Sequence, residues 1–157
     1  MAERKRTKRL LIIYHSQGGT MAELARRLTE GAARVEDVVV VCKPAGQADL
    51  DDLLHCDGII IGSPEYFGTM AGMIKDFFDR TYTAARERTI GLPFVIVVCA
   101  GNDGRGAITQ IERLAAGYRW RKVQEHKRIV GRPTEKDLND LEELGETLAA
   151  GVDFGIF

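Results

Sequence analysis

The amino-acid sequence predicts an α/β fold: a three-layer sandwich in which helices cover both faces of a five-stranded parallel sheet, strand order 2-1-3-4-5. Three observations predict it. Apolar runs of strand length alternate with helix-period segments five times along 157 residues, the alternation that builds a parallel sheet. The strand runs are continuously apolar rather than alternating, as in strands buried on both faces. Glycine-bearing loops follow the first, third and fourth strands. Right-handed crossovers in that strand order bring those three loops together beyond the carboxyl ends of the strands. One domain, residues 1–157, is the expectation at this length.

The elements follow in order. Arg4-Lys5-Arg6-Thr7-Lys8-Arg9 is basic, and the apolar stretch after it runs only from Leu10 to Tyr14. That is too short for a signal peptide or a membrane span. Residues 1–8 therefore read as a solvated, flexible tail ahead of strand 1. A helix is expected over 20–33, with Leu24, Ala25 and Leu28 on its buried face, and Thr20 with Glu23 fits a capping box. Strand 2 is placed at 38–42, a short acidic helix at 48–55 and strand 3 at 58–62. Residues 63–68 read as a loop punctuated by Pro64 and Gly68. The helix over 70–85 carries Met73, Ile74, Phe77 and Phe78 on one side. That face, with Met70, reads as core, the alternative being a subunit contact in a homo-oligomer. Strand 4 spans 92–99, with Pro93 at its start, where a missing N–H is tolerated. A loop over 101–106, a helix over 107–116 and a poorly patterned last strand over 120–130 follow. The closing helix, 135–150, has Leu138, Leu141, Leu144 and Leu148 as its stripe.

Bulk properties narrow the function. A net charge of -1 supplies no field toward nucleic acid or a membrane surface. The cysteines are Cys42, Cys56 and Cys99, with no C-x-x-C spacing. Cys42 and Cys99 sit in or beside valine-rich runs and read as small buried hydrophobes of a reducing compartment, the cytoplasm. Cys56 follows His55, but neighbours in sequence make neither a dyad nor a metal site, and no metal is expected.

The three loops carry the chemistry. After strand 1, Ser16, Gln17, Gly18, Gly19, Thr20 and Met21 join a strand to a helix N-terminus, where free N–H groups and the helix dipole favour an anion. The loop has no Lys or Arg, so a phosphate there would be held by N–H and hydroxyl donors. After strand 3 come Ser63, Pro64, Glu65, Tyr66, Phe67 and Gly68, which include one stiff residue and two flat rings. After strand 4 come Ala100, Gly101, Asn102, Asp103 and Gly104, then Gly106. Their glycines allow close backbone approach and positive φ. A phosphate, a flat aromatic system and a backbone-lined edge together describe flavin mononucleotide, FMN. The dinucleotide fingerprint G-x-G-x-x-G and the P-loop G-x-x-x-x-G-K-[ST] are absent after strand 1. A receiver domain would need acids where Gly62-Ser63 and Tyr14-His15-Ser16 stand.

On these residues the chain resembles the flavodoxin-like superfamily of FMN proteins over nearly its whole length. Ile12 through Ala25 follows the flavodoxin signature [LIV]-[LIVFY]-[FY]-x-[ST]-x-x-[AGC]-x-T-x-x-x-A, departing only at Met21, where threonine belongs. That departure, and the stretch from Gly62 to Gly72, resemble the WrbA-type quinone reductases. Ser63-Pro64-Glu65-Tyr66 is also similar to the NADPH-dependent FMN reductases. The resemblance implies that Ser16, Gly18, Gly19, Thr20 and Met21 hold the FMN phosphate. It implies that 64–68 line the isoalloxazine and 100–104 its far edge. The chain is shorter than WrbA-type proteins, lacks most of their insertion after strand 4 with its ring-covering tryptophan, and has no histidine within 114–118.

The function implied is an oxidoreductase. NAD(P)H would pass a hydride to flavin N5, and the flavin would reduce a quinone or similar small acceptor. The cofactor supplies the chemistry and the protein its orientation, so no catalytic side chain is expected, and Glu65 reads as a solvated loop residue. The alternatives are a flavodoxin-type one-electron carrier, against which the lack of acidic excess counts, and a flavin-binding module without turnover.

Overall fold

The structure is a computed structural model that describes residues 6–157. The first strand, β1 (Lys8–Tyr14), pairs in parallel with β2 (Val38–Pro44) on one side and β3 (Gly58–Tyr66) on the other. Beyond β3 lies β5 (Pro93–Ala100), also parallel, and beyond that the short strands β6 (Arg121–Lys122) and β7 (Lys127–Val130). The order is thus the expected 2-1-3-4-5, with the fifth position filled by two pieces. The basic tail is corrected in part. Residues 1–5 lie outside the described residues, but Arg6 pairs with Asp57 and Lys8 already opens β1.

Alternation along the central strands sorts the core. Leu10 and Ile12 face α1 (Thr20–Ala32) and α5 (Glu135–Phe154), where Leu24, Leu28, Leu138, Leu141 and Leu148 pack. Leu11 and Ile13 face the other layer, formed by α2 (Leu50–His55), α3 (Gly72–Ala85) and α4 (Arg105–Gly117). Phe77, Phe78, Tyr118 and Trp120 fill that side. The Tyr118 hydroxyl donates to the Phe78 carbonyl at 2.5 Å and lies 2.7 Å from Thr81 Oγ1, so the buried phenol is satisfied. Met70, Phe77 and Phe78 are core as expected, but Met73 is exposed.

Helices α1 and α5 cross closely. A Cβ on Gly31 would stand 1.8 Å from the Glu142 carbonyl oxygen, and one on Gly145 2.0 Å from that of Leu28. The ion pairs along them step in the same direction: Arg27 of α1 with Glu142 at 2.6 Å and Glu135 at 4.0 Å, then Arg34, just past the end of α1, with Glu142 at 2.7 Å and Glu146 at 3.3 Å. The helices therefore run parallel, with their N-termini side by side at the carboxyl edge of the sheet.

Four element expectations are corrected. The continuous apolar run of β2 predicts a strand buried on both faces, but β2 is the sheet edge, half-buried, with Val39 exposed. Pro64 and Gly68 predict a loop over 63–68, but β3 continues to Tyr66 and folds back as a hairpin onto β4 (Thr69–Met70), so α3 starts at Gly72. The turn residues Phe67 and Gly68 have φ of 52° and 75°, the double positive φ of a tight hairpin turn. The last strand breaks at 123–126, where the Ile96 N–H donates to the Nδ1 of His126 at 3.0 Å in place of a strand carbonyl. Finally, Thr20 does not cap α1. It is the first helical residue, the cap position is Gly19 with φ 99°, and no side chain caps it.

Candidate functional site

At the carboxyl edge, all three predicted loops border one open cavity of about 460 Å³, within the roughly 300–1,000 Å³ of small-molecule sites. From the first loop, Ser16, Gln17, Gly18, Thr20 and Met21 line it; from the second, Pro64, Glu65 and Tyr66; from the third, Ala100 and Gly101. The remaining predicted residues shape the loops without lining the cavity: Gly19, Ser63, Phe67, Gly68, Asn102, Asp103 and Gly104.

The first loop is built as an open helix start. The Gly19 N–H donates to Ser16 Oγ at 3.1 Å, which folds the loop. The helix ladder opens with the Glu23 N–H donating to the Gly19 carbonyl at 3.1 Å. The N–H groups of Thr20, Met21 and Ala22 precede that bond and have no partner within the helix. Gly18 has open space where a Cβ would stand. The Met21 side chain is buried, its sulfur 2.9 Å from where a Gly62 Cβ would be. Met21 thus gives the cavity wall its first-turn backbone and gives the core its side chain.

The second loop is pinned to α4. Glu65, expected to be solvated, is half-buried, and its Oε2 accepts from the Ala107 N–H at 3.1 Å. Gly106 meets the hairpin so closely that a Cβ would lie 1.9 Å from the Gly68 carbonyl oxygen. Ser63 is fully buried and structural: its hydroxyl accepts from the Ala71 N–H at 3.0 Å and donates to the Pro64 carbonyl at 2.8 Å. Of the two rings, Tyr66 lines the cavity, edge-on to His15 with centroids 6.2 Å apart. Phe67 stands at the hairpin tip, fully exposed.

In the third loop, Asp103 Oδ1 accepts from the Arg105 N–H at 3.0 Å, and Arg128 donates to the Asp103 carbonyl. Of its glycines, Gly104 has the positive φ, 73°, as the cap position of α4, and Gly106 makes the close approach; Gly101 shows neither.

Sequence reasoning missed Cys99, Gly131, Arg132 and Pro133 on the cavity wall. The last three form the loop into α5, which the resemblance did not mark. Their placement follows from the side-by-side N-termini of α1 and α5, a tertiary fact. Burial pushes the Cys99 thiol up from its ordinary value, so it faces the cavity as a neutral thiol, and Cys42 is raised for the same reason. Cys56 is pushed up to about 12, first by burial. Among the described residues no three His, Cys, Asp or Glu side chains gather as a metal site, and no helix is long and apolar enough to cross a membrane.

The donor set fits FMN. The open helix end and the Ser16 and Thr20 hydroxyls suit a phosphate. Tyr66 offers a flat ring and Pro64 a stiff apolar wall, and the strand end at Ala100–Gly101 offers a backbone edge. Fold and cavity together define a flavodoxin-like, FMN-binding protein. The profile of the NADPH-dependent FMN reductase family matches residues 9–130, and the chain belongs to that family.

An NAD(P)H dehydrogenase (quinone) from Acidithiobacillus ferrooxidans is 33% identical over 124 residues, 66% of this chain and 62% of that protein. A flavodoxin from Aquifex aeolicus is 34% identical over 71 residues, 45% of this chain and 38% of its own. The chain thus spans less than two thirds of the length of these relatives. Among solved structures, an archaeal flavodoxin superposes with a TM-score of 0.83 at 23% identity, covering 92% of this chain and 99% of that one. A WrbA-like protein from Agrobacterium tumefaciens does so at 0.76 and 19% identity, covering 93% and 98%.

Proposed function

We propose that the chain is an FMN-dependent oxidoreductase that draws on NAD(P)H and reduces a quinone or similar small acceptor. The observation that carries this reading is the convergence of an uncapped helix start, a flat-sided hairpin and a strand end on one cavity. FMN, when bound, supplies the hydride-accepting N5 and the onward transfer of electrons. The chain's residues do the rest. First-turn N–H groups of α1, with Ser16 and Thr20, bind the phosphate. Pro64 and Tyr66 orient the ring, and the backbone of Ala100 and Gly101 borders its edge and opposes negative charge there as fixed dipoles. Glu65 is no acid or base in this reading, because its carboxylate is engaged by the α4 N-terminus. Gly19, Phe67, Gly68, Asn102, Asp103 and Gly104 hold the loops in shape. The family and the quinone-reducing relative support NAD(P)H as reductant. One domain in a reducing, cytoplasmic compartment completes the reading.

The test is an absorption spectrum of purified protein with FMN, followed by anaerobic NADPH and then a quinone. Flavin bands that co-elute with the protein, bleach with NADPH and return with quinone are the expected result. The flavodoxin relative favours a second reading, an electron carrier; bound flavin that neither nicotinamide reduces would select it. Absence of flavin binding would overturn both.

A further inference from the structure

The first loop poses an electrostatic problem. It lines the cavity with neutral donors only, whereas a phosphate monoester carries a charge of about -1.5 to -2 at neutral pH. Of the residues lining the cavity, Arg132 alone is a cation. It lies beyond residue 130, where the family match ends. The parallel ion-pair ladder between α1 and α5 sets the loop 131–133 beside the loop 16–19 that leads into α1.

The neighbours of Arg132 are already committed. The capping box between Thr134 and Asp137 takes up the Asp137 N–H of the first turn and sets carboxylates of Glu135 and Asp137 at that helix end, so it attracts an anion less than the start of α1 does. Glu135 lies 4.0 Å from Arg27, and Asp137 3.4 Å from Lys127. Arg132 is exposed and forms no ion pair or hydrogen bond among the described residues. We infer that Arg132 is a phosphate-binding residue of this cavity that neutralises the FMN phosphate from outside the first loop, across the gap between the N-termini of α1 and α5. A guanidinium suits this role because its planar fork can grip two phosphate oxygens at once. The inference rests on the FMN reading above and adds the charge which the first loop lacks.

The test compares flavins with and without the phosphate. Apo-protein is titrated with FMN and with riboflavin by quenching of flavin fluorescence, for the wild type, Arg132→Gln and Arg132→Lys, at low and high salt. The expected result is FMN binding roughly 10- to 100-fold weaker in Arg132→Gln, the range of one charge-assisted contact. Riboflavin binding should be unchanged, Arg132→Lys intermediate, and the salt dependence of FMN binding reduced in Arg132→Gln. Equal losses for both flavins, or no loss for FMN, would overturn the inference and leave the FMN site standing. So would an unchanged FMN affinity with a raised KM for NADPH but not NADH, which would assign the guanidinium to the nicotinamide cofactor. A wild type that binds neither flavin would overturn the FMN reading and this inference together.

Discussion

Helices α1 and α5 lie side by side on one face of the sheet, yet their N-termini are finished in opposite ways. α5 is capped: Thr134 Oγ1 accepts from the Asp137 N–H at 3.1 Å and Asp137 Oδ2 from the Thr134 N–H at 3.0 Å, and the first turn carries the acids Glu135 and Asp137. α1 is open: its cap position, Gly19, supplies no side-chain cap, and Ser16 Oγ accepts from the Gly19 N–H, ahead of the first-turn donors. α4 falls between them, with Gly104 at its cap position and Glu65 reaching over from the hairpin to its third N–H. The comparison separates two uses of one physical feature. Unpaired first-turn donors must be satisfied. A helix start that carries its own capping box and acidic first turn is a structural element, and one left uncapped beside a cavity is prepared for an anion.

The largest expected effect comes from closing the open end. Gly18→Asp places a carboxylate where a Cβ meets nothing within 4 Å, so folding is unchanged while FMN affinity falls on the order of 100-fold from like-charge repulsion. Flavin titration and thermal denaturation, run together, check this; a parallel loss of stability would mean that Gly18 is structural instead. Next is Gly106→Ala, whose Cβ would stand 1.9 Å from the Gly68 carbonyl oxygen. The hairpin must shift, at a cost of about 1–3 kcal/mol in denaturant unfolding, and flavin binding should weaken as the hairpin moves. Breaking the capped end should act on stability alone: Thr134→Ala costs about 1 kcal/mol and leaves FMN affinity unchanged. A loss of affinity in that variant would erase the distinction drawn between α1 and α5.

The smallest effect concerns His126, whose Nδ1 accepts from the Ile96 N–H and so must stay unprotonated. Its Nε2 lies 2.8 Å from Glu112 Oε1, though off the hydrogen-bond direction. Burial first, then Lys122, holds the imidazole below its ordinary 6.5, against the upward pull of Glu112. With the folded value lowered, the unfolded chain takes up the proton first. The stabilising contribution is therefore full above about pH 6.5 and is lost as pH falls below it. Denaturation midpoints at pH 7.5 and 5.5 should differ more for the wild type than for His126→Gln.

Local pattern carried most of the architecture. The apolar runs Leu10–Tyr14, Val38–Cys42 and Gly58–Gly62, and the Leu138, Leu141, Leu144 and Leu148 stripe, state their periods in sequence, and these elements stand where expected. Hydrophobic period is a local property, and strand order follows from it through the handedness of crossovers. The three cavity loops were legible for the same reason, as glycine-bearing breaks at strand ends. Only the tertiary structure decided what each loop residue does. Ser63 and Glu65 read as loop residues because nothing in the sequence shows that α3 and α4 will use them. Thr20 and Glu23 matched a capping box whose register the Gly19 conformation shifts by one residue. Arg132 was invisible because its place beside the first loop depends on helices more than a hundred residues apart crossing at Gly31 and Gly145. A period can be read along the chain, but the partner of an unpaired donor or charge comes from another part of it, and only folding brings the two together.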